Sequence, residues 1–494
     1  MKKSVFTITF ILFVTFLQAQ TKNAFLERAF WKTNPTIESV EQKIKEGNSV
    51  TALNPFGFDA VVYAILEKAP NRVIKHLLTK KGNDVNKLTH DKRTYVFWAA
   101  YKGNLELVKH LINNKARLDL KDSHNFSPLT FAAVAGQTDT KIYDLFIKNG
   151  IDIKNDVDEK GANALLLLIG HLKDFKLVDY FESKGLSINS TDSHGNGAFN
   201  YTAYKGNKTM LELLIKKGLP YKNYSSNGDN AILAATIGSR SGYNSLNFIK
   251  YLEDLGINPN VTNKDGITPL HNIASGNKDL AAYNYFIDKG VNVNQQDKHG
   301  NNPLIKAAGR NSLEIIKLLV SKTKNINITN KNGESALTNA VKNKPEVLQF
   351  LLDKGAQTSV IDKNGNDISY HLFRTFNAKK LKDFQTKITL LKAKGFIINT
   401  PQKDGNTLYH LAVEKKNIAM LNFIKHYKIN INSKNKKGLT ALQLAVMTAK
   451  DLTIVNHLIK NGANKKVTTN FDETLYDLAK ENEALKNTNI NFLK

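Results

Sequence analysis

Short apolar runs at helical spacing alternate along the chain with polar turns that contain glycine. In one well-defined example, Gly266 predicts a tight turn, because glycine adopts a positive φ at little cost. Thr268 is a residue type that caps helices, and Pro269 suits a first helical position, where its missing N–H is not needed. Leu270 and Ala274 then lie four residues apart on one face. The pattern predicts a turn that leads into an amphipathic helix.

A second helix and a helix stop follow this turn and helix. The apolar run Tyr283–Ile287 predicts the helix, and Gly290 is typical of the residue just past a helix end. Val291–Asn294 alternates apolar and polar residues as a short strand does. Because the turn pattern then restarts at Asp297–Gly300, the segment between the two turns reads as one helix–turn–helix unit with a short hairpin.

This unit repeats along most of the chain. The glycine that closes the turn before each first helix recurs at intervals of 32 to 40 residues. These glycines are Gly161, Gly195, Gly228, Gly266, Gly300, Gly333, Gly365, Gly405 and Gly438. The predicted helix ends give a second period: their spacing from Gly47 to Gly462 averages 34.6 residues. Agreement between the two periods predicts a repeat architecture.

The run Asp265-Gly266-Ile267-Thr268-Pro269-Leu270-His271 resembles the motif of the ankyrin repeat family, whose period is about 33 residues. Related openings occur at Ser127-Pro128-Leu129, Asn302-Pro303-Leu304 and Thr440-Ala441-Leu442. The resemblance implies an all-α-dominated repeat solenoid, with a helix–turn–helix and a short β-hairpin in each unit. It also implies a non-enzymatic scaffold that binds a protein partner and needs no cofactor.

The repeat boundaries divide the chain into four segments. They are a signal peptide over 1–20, an N-terminal helical capping repeat over 21–53, an array of about a dozen ankyrin repeats over 54–469, and a C-terminal capping unit over 470–494. In the N-terminal cap, we expect helices over Ala24–Trp31 and Pro35–Glu46, with Asn34 capping the second. No linker divides the array, which predicts one continuous solenoid.

Two repeats are longer than the others, and three lack the stop glycine. We expect an extra loop over Gly238–Tyr243 and a lengthened region over Phe373–Lys382, each between the two helices of its repeat. Lys115, Lys324 and Lys428 stand where other repeats have glycine. Helix ends at these lysines should therefore be less stable.

The N-terminal twenty residues have the pattern of an export signal. Lys2 and Lys3 precede the apolar run Val5–Leu17, and Gln18–Gln20 is a suitable cleavage region. The alternative is an uncleaved membrane anchor, but this run is shorter than the ~20 residues that span a bilayer. The chain contains no cysteine, which excludes disulfides and thiolate metal sites. We therefore expect a periplasmic or secreted protein stabilised by packing alone.

The chain is strongly basic, with 70 Lys and Arg against 44 Asp and Glu and a net charge of +26. Such a charge suits an anionic polymer or membrane surface, which is the alternative function. Only seven of the basic residues are Arg, the residue that reads phosphate bidentately. Lysines are spread along the whole chain, which favours a solvated basic surface and gives no indication of specific nucleic-acid binding.

The histidines invite a catalytic or metal-binding interpretation, which their spacing does not favour. His124, His194 and His299 are separated by whole repeats, and no helix carries a second ligand three or four residues away. The family resemblance implies that His271 and His410 bond the backbone of a neighbouring turn, and His371 matches that position less closely. We therefore predict no metal site and no enzyme.

A five-residue segment that occurs twice in the chain suggests a binding face. Ala100–Asn104 recurs as Ala203–Asn207, and tyrosine is a favoured interface anchor. The resemblance places these residues on the concave side of first helices. The predicted partner-binding residues are Arg93, Tyr101, Lys102, His124, Phe126, His194, Tyr204, Lys205 and Arg310. The alternative is that the segment occurs twice only because a block of repeats was duplicated. The expected assembly is a monomer bound to an unidentified protein.

Overall fold

A computed structural model describes residues 22–494 of the chain. The predicted signal peptide, residues 1–20, lies outside the described residues. The chain divides into two compact units. Unit 1 contains the residues up to Thr202 together with Asn207–Leu219, and unit 2 contains Ala203–Gly206 together with Pro220–Lys494.

Both units consist of short helices in pairs, joined by polar turns. The helices of unit 1 are α1 (Arg28–Lys32), α2 (Ile37–Lys45), α3 (Ala60–Leu66), α4 (Asn71–Leu78), α5 (Tyr95–Tyr101), α6 (Leu105–Asn113), α7 (Pro128–Val134), α8 (Thr140–Lys148), α9 (Ala164–Ile169), α10 (Lys176–Ser183), the start of α11 (Ala198–Lys205) and α12 (Lys208–Lys216). Single 3-10 turns occur at Ala24–Leu26 and His90–Lys92.

Unit 2 follows the same plan and contains the end of α11. Its other helices are α13 (Ala231–Ala235), α14 (Leu246–Asp254), α15 (Pro269–Ala274), α16 (Leu280–Asp288), α17 (Pro303–Ala308), α18 (Leu313–Lys322), α19 (Ala336–Ala340), α20 (Pro345–Asp353), α21 (Ile368–Phe373), α22 (Leu381–Lys392), α23 (Leu408–Glu414), α24 (Ile418–Ile424), α25 (Ala441–Met447), α26 (Thr453–Lys460) and α27 (Leu475–Glu481). Its 3-10 turns are Ala378–Lys380, Lys425–Tyr427, Glu483–Leu485 and Asn491–Leu493.

The core of each unit lies between neighbouring helix pairs. In unit 1, α5 packs on α7 and α7 packs on α9, while α6 packs on α8. In unit 2, α15 packs on α17 and α17 on α19, while α16 packs on α18. Leu270 and Ala274 are both fully buried, as their spacing predicts. The predicted fold class, an all-α-dominated repeat solenoid, is confirmed.

The turns before the first helices share one hydrogen-bond pattern. Oδ1 of Asp297 accepts hydrogen bonds from the backbone N–H groups of His299 and Asn301, both at 2.9 Å. Other turns repeat it at Asp122, Asp158, Asp192, Asn263, Asn330, Asp362 and Asn435. Neighbouring turns also bond to each other: the Lys298 N–H donates to the Asp265 carbonyl at 2.6 Å. Side chains at successive turn tips therefore form a row within each unit.

The predicted short strand at Val291–Asn294 is a turn instead. The Asn292 side chain accepts a hydrogen bond from the Asn294 N–H at 2.9 Å, which bends the chain away from an extended conformation. Val291 is nevertheless buried, so the apolar positions were assigned correctly. Across residues 22–494, strand pairing is limited to isolated bridges, such as Val157 with Asn163.

The second helix of the N-terminal cap begins two residues later than predicted. Thr36, rather than Asn34, is the cap, and its Oγ1 accepts a hydrogen bond from the Ser39 N–H at 3.2 Å. Asn34 instead adopts a φ of 54°, which ends the preceding helical turn. Pro35 therefore lies in the connection between α1 and α2 and does not open α2.

Both predicted insertions lie between the helices of their repeats. Gly238–Tyr243 contains a tight turn closed by the Ser239–Gly242 bridge, and Phe373–Lys382 contains a 3-10 turn. Lys115 and Lys428 have the positive φ of the glycine they replace, at 63° and 49°. Lys324 does not, because α18 ends at an extended Thr323.

Candidate functional site

One helix position carries large apolar side chains in consecutive repeats of unit 1. This position is four residues after the N-cap residue of the first helix, which is Asp59 in α3, Thr94 in α5 and Ser127 in α7. Its occupants are Tyr63, Trp98 and Phe131, followed by Leu167 in α9. We call Tyr63, Trp98 and Phe131, together with Phe58, Tyr101 and Phe126, the aromatic column.

The rings of the aromatic column contact one another across repeats. Phe58 stacks on Tyr63 with ring centroids 5.5 Å apart and lies 5.7 Å from the ring of Trp98. Trp98 meets Phe131 edge to face at 5.7 Å, and Tyr101 stacks on Phe131 at 5.3 Å. Aromatic pairs in these geometries stabilise each other by about 0.5–1.5 kcal/mol beyond their burial. The column is therefore a continuous, rigid strip on the first-helix side of unit 1.

Arg93 holds the middle of this strip in place. Its guanidinium donates to Oδ2 of Asp122 at 2.7 Å and to Oδ2 of Asp91 at 3.0 Å. Its Cζ lies 4.1 Å from the centroid of the Phe131 ring. Only 7% of Arg93 is exposed, so its charge is already paired within the chain. We predicted Arg93 as a partner-binding residue; the structure places it beneath the surface as a positioning residue.

Tyr101 is the most accessible ring at the centre of the column. It is the last residue of α5, and 41% of it is exposed although one ring face stacks on Phe131. Phe126, in the next turn, is half-buried with its ring 6.3 Å from that of Phe131. The exposed His124 lies beside it at the turn tip. Tyr101 and Phe126 thus both contact the Phe131 ring, and His124 lies beside Phe126.

The same helix position is not aromatic in the first helices of unit 2, and in four consecutive repeats it is polar. Asn272, Lys306, Asn339 and His371 each lie four residues after the cap of α15, α17, α19 and α21. The Asn272 side chain donates to the Leu233 carbonyl at 3.1 Å, and burial lowers the pKa of Lys306. The aromatic column is therefore a local feature of unit 1 and not a general property of the repeats.

The remaining predicted site residues lie in different settings. Lys102 is half-buried beside Tyr101, and His194 is exposed at a turn tip of unit 1. Tyr204 belongs to unit 2 and is half-buried, with the Lys205 ammonium 5.4 Å from its ring centroid. Arg310 lies between α17 and α18, away from the row of turn tips.

Sequence reasoning missed Trp98, Phe131, Phe58 and Tyr63. Trp98 and Phe131 read as ordinary core residues, because each lies in an apolar run that a first helix buries. An alignment of the repeats by their helix positions could have revealed them. Only such an alignment shows that consecutive repeats carry aromatic residues at one helix position.

The motif histidines have structural roles in unit 2. His271 Nδ1 accepts the Thr268 N–H at 3.2 Å, and its Nε2 donates to the carbonyl of Asn301 in the next turn at 3.0 Å. His410 bonds Thr407 and Leu439 in the same way. Burial lowers the pKa of His271 to about 4 and also lowers the pKa of His410. The expected use of both imidazoles is confirmed.

His371 differs from the motif histidines. Its Nε2 lies 3.2 Å from Oδ2 of Asp362, in the turn of its own repeat, so it does not link two turns. Burial lowers its pKa, although the Asp362 carboxylate acts in the opposite direction. No group of three or more His, Cys, Asp or Glu residues within 22–494 has the geometry of a metal site. No helix in that range is long and apolar enough to cross a membrane.

The paired helices, the linked turns and the aromatic column with its exposed Tyr101 define a class: helical repeat proteins whose surfaces bind other molecules. The chain belongs to the ankyrin repeat family. The family model for three copies of the ankyrin repeat matches residues 61–157, 238–330, 270–367 and 378–469, which together exceed half of the chain. Ankyrin repeats are interaction modules, typically without catalytic activity.

Similar proteins include viral ones. A protein of Acanthamoeba polyphaga mimivirus, named as an ankyrin repeat protein, is 32% identical over 277 residues, which are 54% of this chain and 44% of that protein. A Variola virus protein named as an inhibitor of apoptosis is 34% identical over 218 residues, 43% of this chain and 47% of that protein. The chain thus spans less than half the length of these curated relatives.

One solved structure is also similar. A chain from the complex of a predatory endopeptidase with its immunity protein, from Bdellovibrio bacteriovorus, has 29% sequence identity and a TM-score of 0.33. The match covers 39% of this chain and 96% of that one.

Proposed function

We propose that this chain is an exported scaffold of about a dozen ankyrin repeats that holds a protein partner against the aromatic column of unit 1. The observation that supports this proposal is the exposed Tyr101 on a rigid stack of rings. A preordered aromatic side chain loses little conformational freedom when a partner binds, and tyrosine adds a hydroxyl that hydrogen-bonds. Such residues are typical hot spots of protein interfaces.

The extent of the column favours a protein over a small molecule. Its rings come from three successive first helices and the turns that precede them, so the surface they support is elongated. Small-molecule sites are usually enclosed clefts that bury most of the ligand. A protein surface covers an elongated strip more completely, and the half-buried Phe126 and Phe58 would lose their remaining contact with water on binding.

A site-specific cross-link tests this assignment. We expect Tyr101→p-benzoylphenylalanine to cross-link the native partner on illumination in living cells. Tyr224 provides a matched control, because it is 53% exposed and lies in unit 2 outside the aromatic column. The same replacement at Tyr224 should give no cross-linked product of the same mass. Equal products from both positions, or a product from Tyr224 alone, would contradict the proposed surface.

The alternative function, binding to an anionic polymer or membrane surface, rests on the net charge of +26. Salt distinguishes the two, because counterion release makes polyanion binding fall steeply with ionic strength. We expect the affinity for the native partner to fall by less than about ten-fold between 50 and 200 mM salt, whereas a contact with many phosphates loses about 10³–10⁵-fold. A loss of the larger size would favour the anionic surface.

Export is part of the proposal and has its own test. The basic start and the apolar run that follows it support removal of the predicted signal peptide after export to the periplasm or the medium. Intact-mass measurement of the protein from the periplasmic and extracellular fractions should show a chain that begins near Gln20 or Thr21. A protein found only in the cytoplasm, with Met1 retained, would exclude export.

A further inference from the structure

Two lysines follow the ends of the first helices in the repeat of Tyr101 and in its neighbour. Lys102 comes directly after Tyr101 as the C-cap residue of α5, and Lys68 follows α3 in the neighbouring repeat. Among residues 22–494, neither ammonium group has a carboxylate within ion-pair distance. Glu67 is the carboxylate nearest in sequence to Lys68, and it is already paired with Arg28. The end of α5 therefore combines an aromatic anchor with two neighbouring lysines that have no ion-pair partner within residues 22–494.

The electrostatic environment of Lys102 agrees with this description. Burial is the main cause that lowers its pKa, and the positive charges of Lys68 and Arg28 lower it further against the opposing effect of Glu67. The potential at this position is thus positive even with Glu67 present. An anionic group that bound here would relieve the repulsion between Lys68 and Lys102, in addition to its direct attraction to both.

We propose that this surface binds an acidic segment of a protein, in which carboxylates flank an apolar side chain that packs on Tyr101. This inference rests on the proposed function and specifies the chemistry of its partner. Two isolated lysines suit one or two carboxylates better than a phosphate backbone, which needs a continuous row of cations.

Selection of peptides on the full-length chain tests the inference. The probe is a library of short random peptides displayed on phage, selected in parallel on the wild-type chain and on variants. The charge-reversal variant is Lys68→Glu with Lys102→Glu. Its matched control is Lys379→Glu with Lys380→Glu, which reverses two exposed lysines of unit 2 that also lack ion pairs among residues 22–494. A third variant, Tyr101→Ala, tests the aromatic anchor.

We expect peptides selected on the wild type to contain Asp or Glu beside an aromatic or aliphatic residue. Synthetic copies should bind the charge-reversal variant at least ten-fold more weakly, as measured by fluorescence anisotropy, and should bind the control variant unchanged. Selection on the charge-reversal variant should enrich Lys and Arg instead. The charge-reversal and control variants should retain the wild-type melting temperature within about 2 °C, because the substituted lysines form no ion pair within residues 22–494. Tyr101→Ala should lower it slightly through the lost stacking on Phe131.

The outcomes separate failure of the inference from failure of the proposed function. If selected peptides depend on Tyr101 but carry no acidic excess, or bind the charge-reversal variant equally well, the acidic partner is refuted and the aromatic surface stands. If they bind the Tyr101→Ala variant as tightly as the wild type, the surface itself is refuted. A fluorescent single-stranded oligonucleotide that binds with the same dependence on Lys68 and Lys102, and more tightly than any peptide, would also overturn the inference.

Discussion

Protonation of His271 is expected to loosen the junction between two neighbouring repeats of unit 2. The imidazole is fully buried and bonds through both nitrogens. Because Nδ1 accepts the Thr268 N–H, the ring is neutral with its proton on Nε2, from which it donates to the Asn301 carbonyl. A second proton on Nδ1 would break the bond from that N–H and leave the Thr268 hydroxyl, 2.8 Å away, as its acceptor. The ring would then carry a positive charge in the core, which is costly because the core lacks water.

The magnitude follows from the two pKa values of His271. Its pKa is about 4 in the folded chain, against about 6.5 in an unfolded one. Because the folded pKa is the lower one, the unfolded state binds more protons between these values, and stability falls as the pH falls from about 6.5 towards 4. At 1.36 kcal/mol for each pKa unit, this group alone should cost roughly 3 kcal/mol across that window.

The structure supplies a suitable variant for the assay. In α25, Gln443 occupies the position of His271, and its Oε1 accepts the Thr440 N–H at 2.8 Å. His271→Gln should therefore keep the bond to Thr268 and lose only the bond to Asn301, at a cost of about 1–2 kcal/mol at neutral pH. Urea denaturation of wild type and variant, monitored by circular dichroism at pH 7.5 and 4.5, gives the difference between them.

We expect the wild type to be the more stable protein at pH 7.5, and the difference to shrink or change sign at pH 4.5, because glutamine does not titrate. Other groups titrate in both proteins and cancel in the comparison. Parallel loss of stability in the two proteins would refute the reasoning. So would an NMR titration in which the His271 ring protonates near pH 6.5 in the folded chain.

Two further predictions concern stability. Leu270→Ala removes a fully buried side chain and should lower the free energy of unfolding by about 2–5 kcal/mol. Thr268→Ala should lower it by about 1 kcal/mol through the lost cap. Equal denaturation midpoints for wild type and both variants would contradict this prediction. Lys115→Gly should raise stability by about 0.5–1 kcal/mol, because a left-handed lysine costs about 1–2 kcal/mol and glycine's extra chain entropy offsets part of that. Lys324→Gly should instead lower stability, since Lys324 has no positive φ; identical shifts at both sites would show that backbone strain is not the cause.

Local sequence patterns predicted the helices well where the structure is determined by neighbouring residues. The turn at Gly266, the cap at Thr268 and the stop at Gly290 all lie where the pattern placed them. Val291–Asn294 was assigned wrongly, because alternation describes which side chains are buried but not the hydrogen bond that Asn292 makes to its own backbone. Polar side chains that compete for the backbone are the reason that such short segments resist prediction.

The candidate surface was less predictable, because its residues come from different repeats. The repeated five-residue segment identified Tyr101. It did not identify Phe131, which lies 30 residues later and on whose ring Tyr101 stacks. Arg93 was predicted to be on the surface as a charged turn residue, and its burial depends on Asp122 and Phe131 of the next repeat. Contacts between repeats require the register of the helices, which the spacing of glycines alone does not define.

Removal of the Tyr101 side chain tests the central claim most directly, once cross-linking has identified the partner. Isothermal titration calorimetry of the purified partner with the wild type, Tyr101→Ala and the control Tyr224→Ala would give the three dissociation constants, and differential scanning fluorimetry would give the melting temperatures. We expect Tyr101→Ala to weaken binding by at least about thirty-fold, because truncation of an interface hot spot costs about 2 kcal/mol or more. The melting temperature should fall only by the small loss of stacking on Phe131, and Tyr224→Ala should equal wild type. If Tyr101→Ala instead lowers the melting temperature by several degrees and leaves the dissociation constant intact, Tyr101 is a packing residue and the aromatic column is not the binding surface.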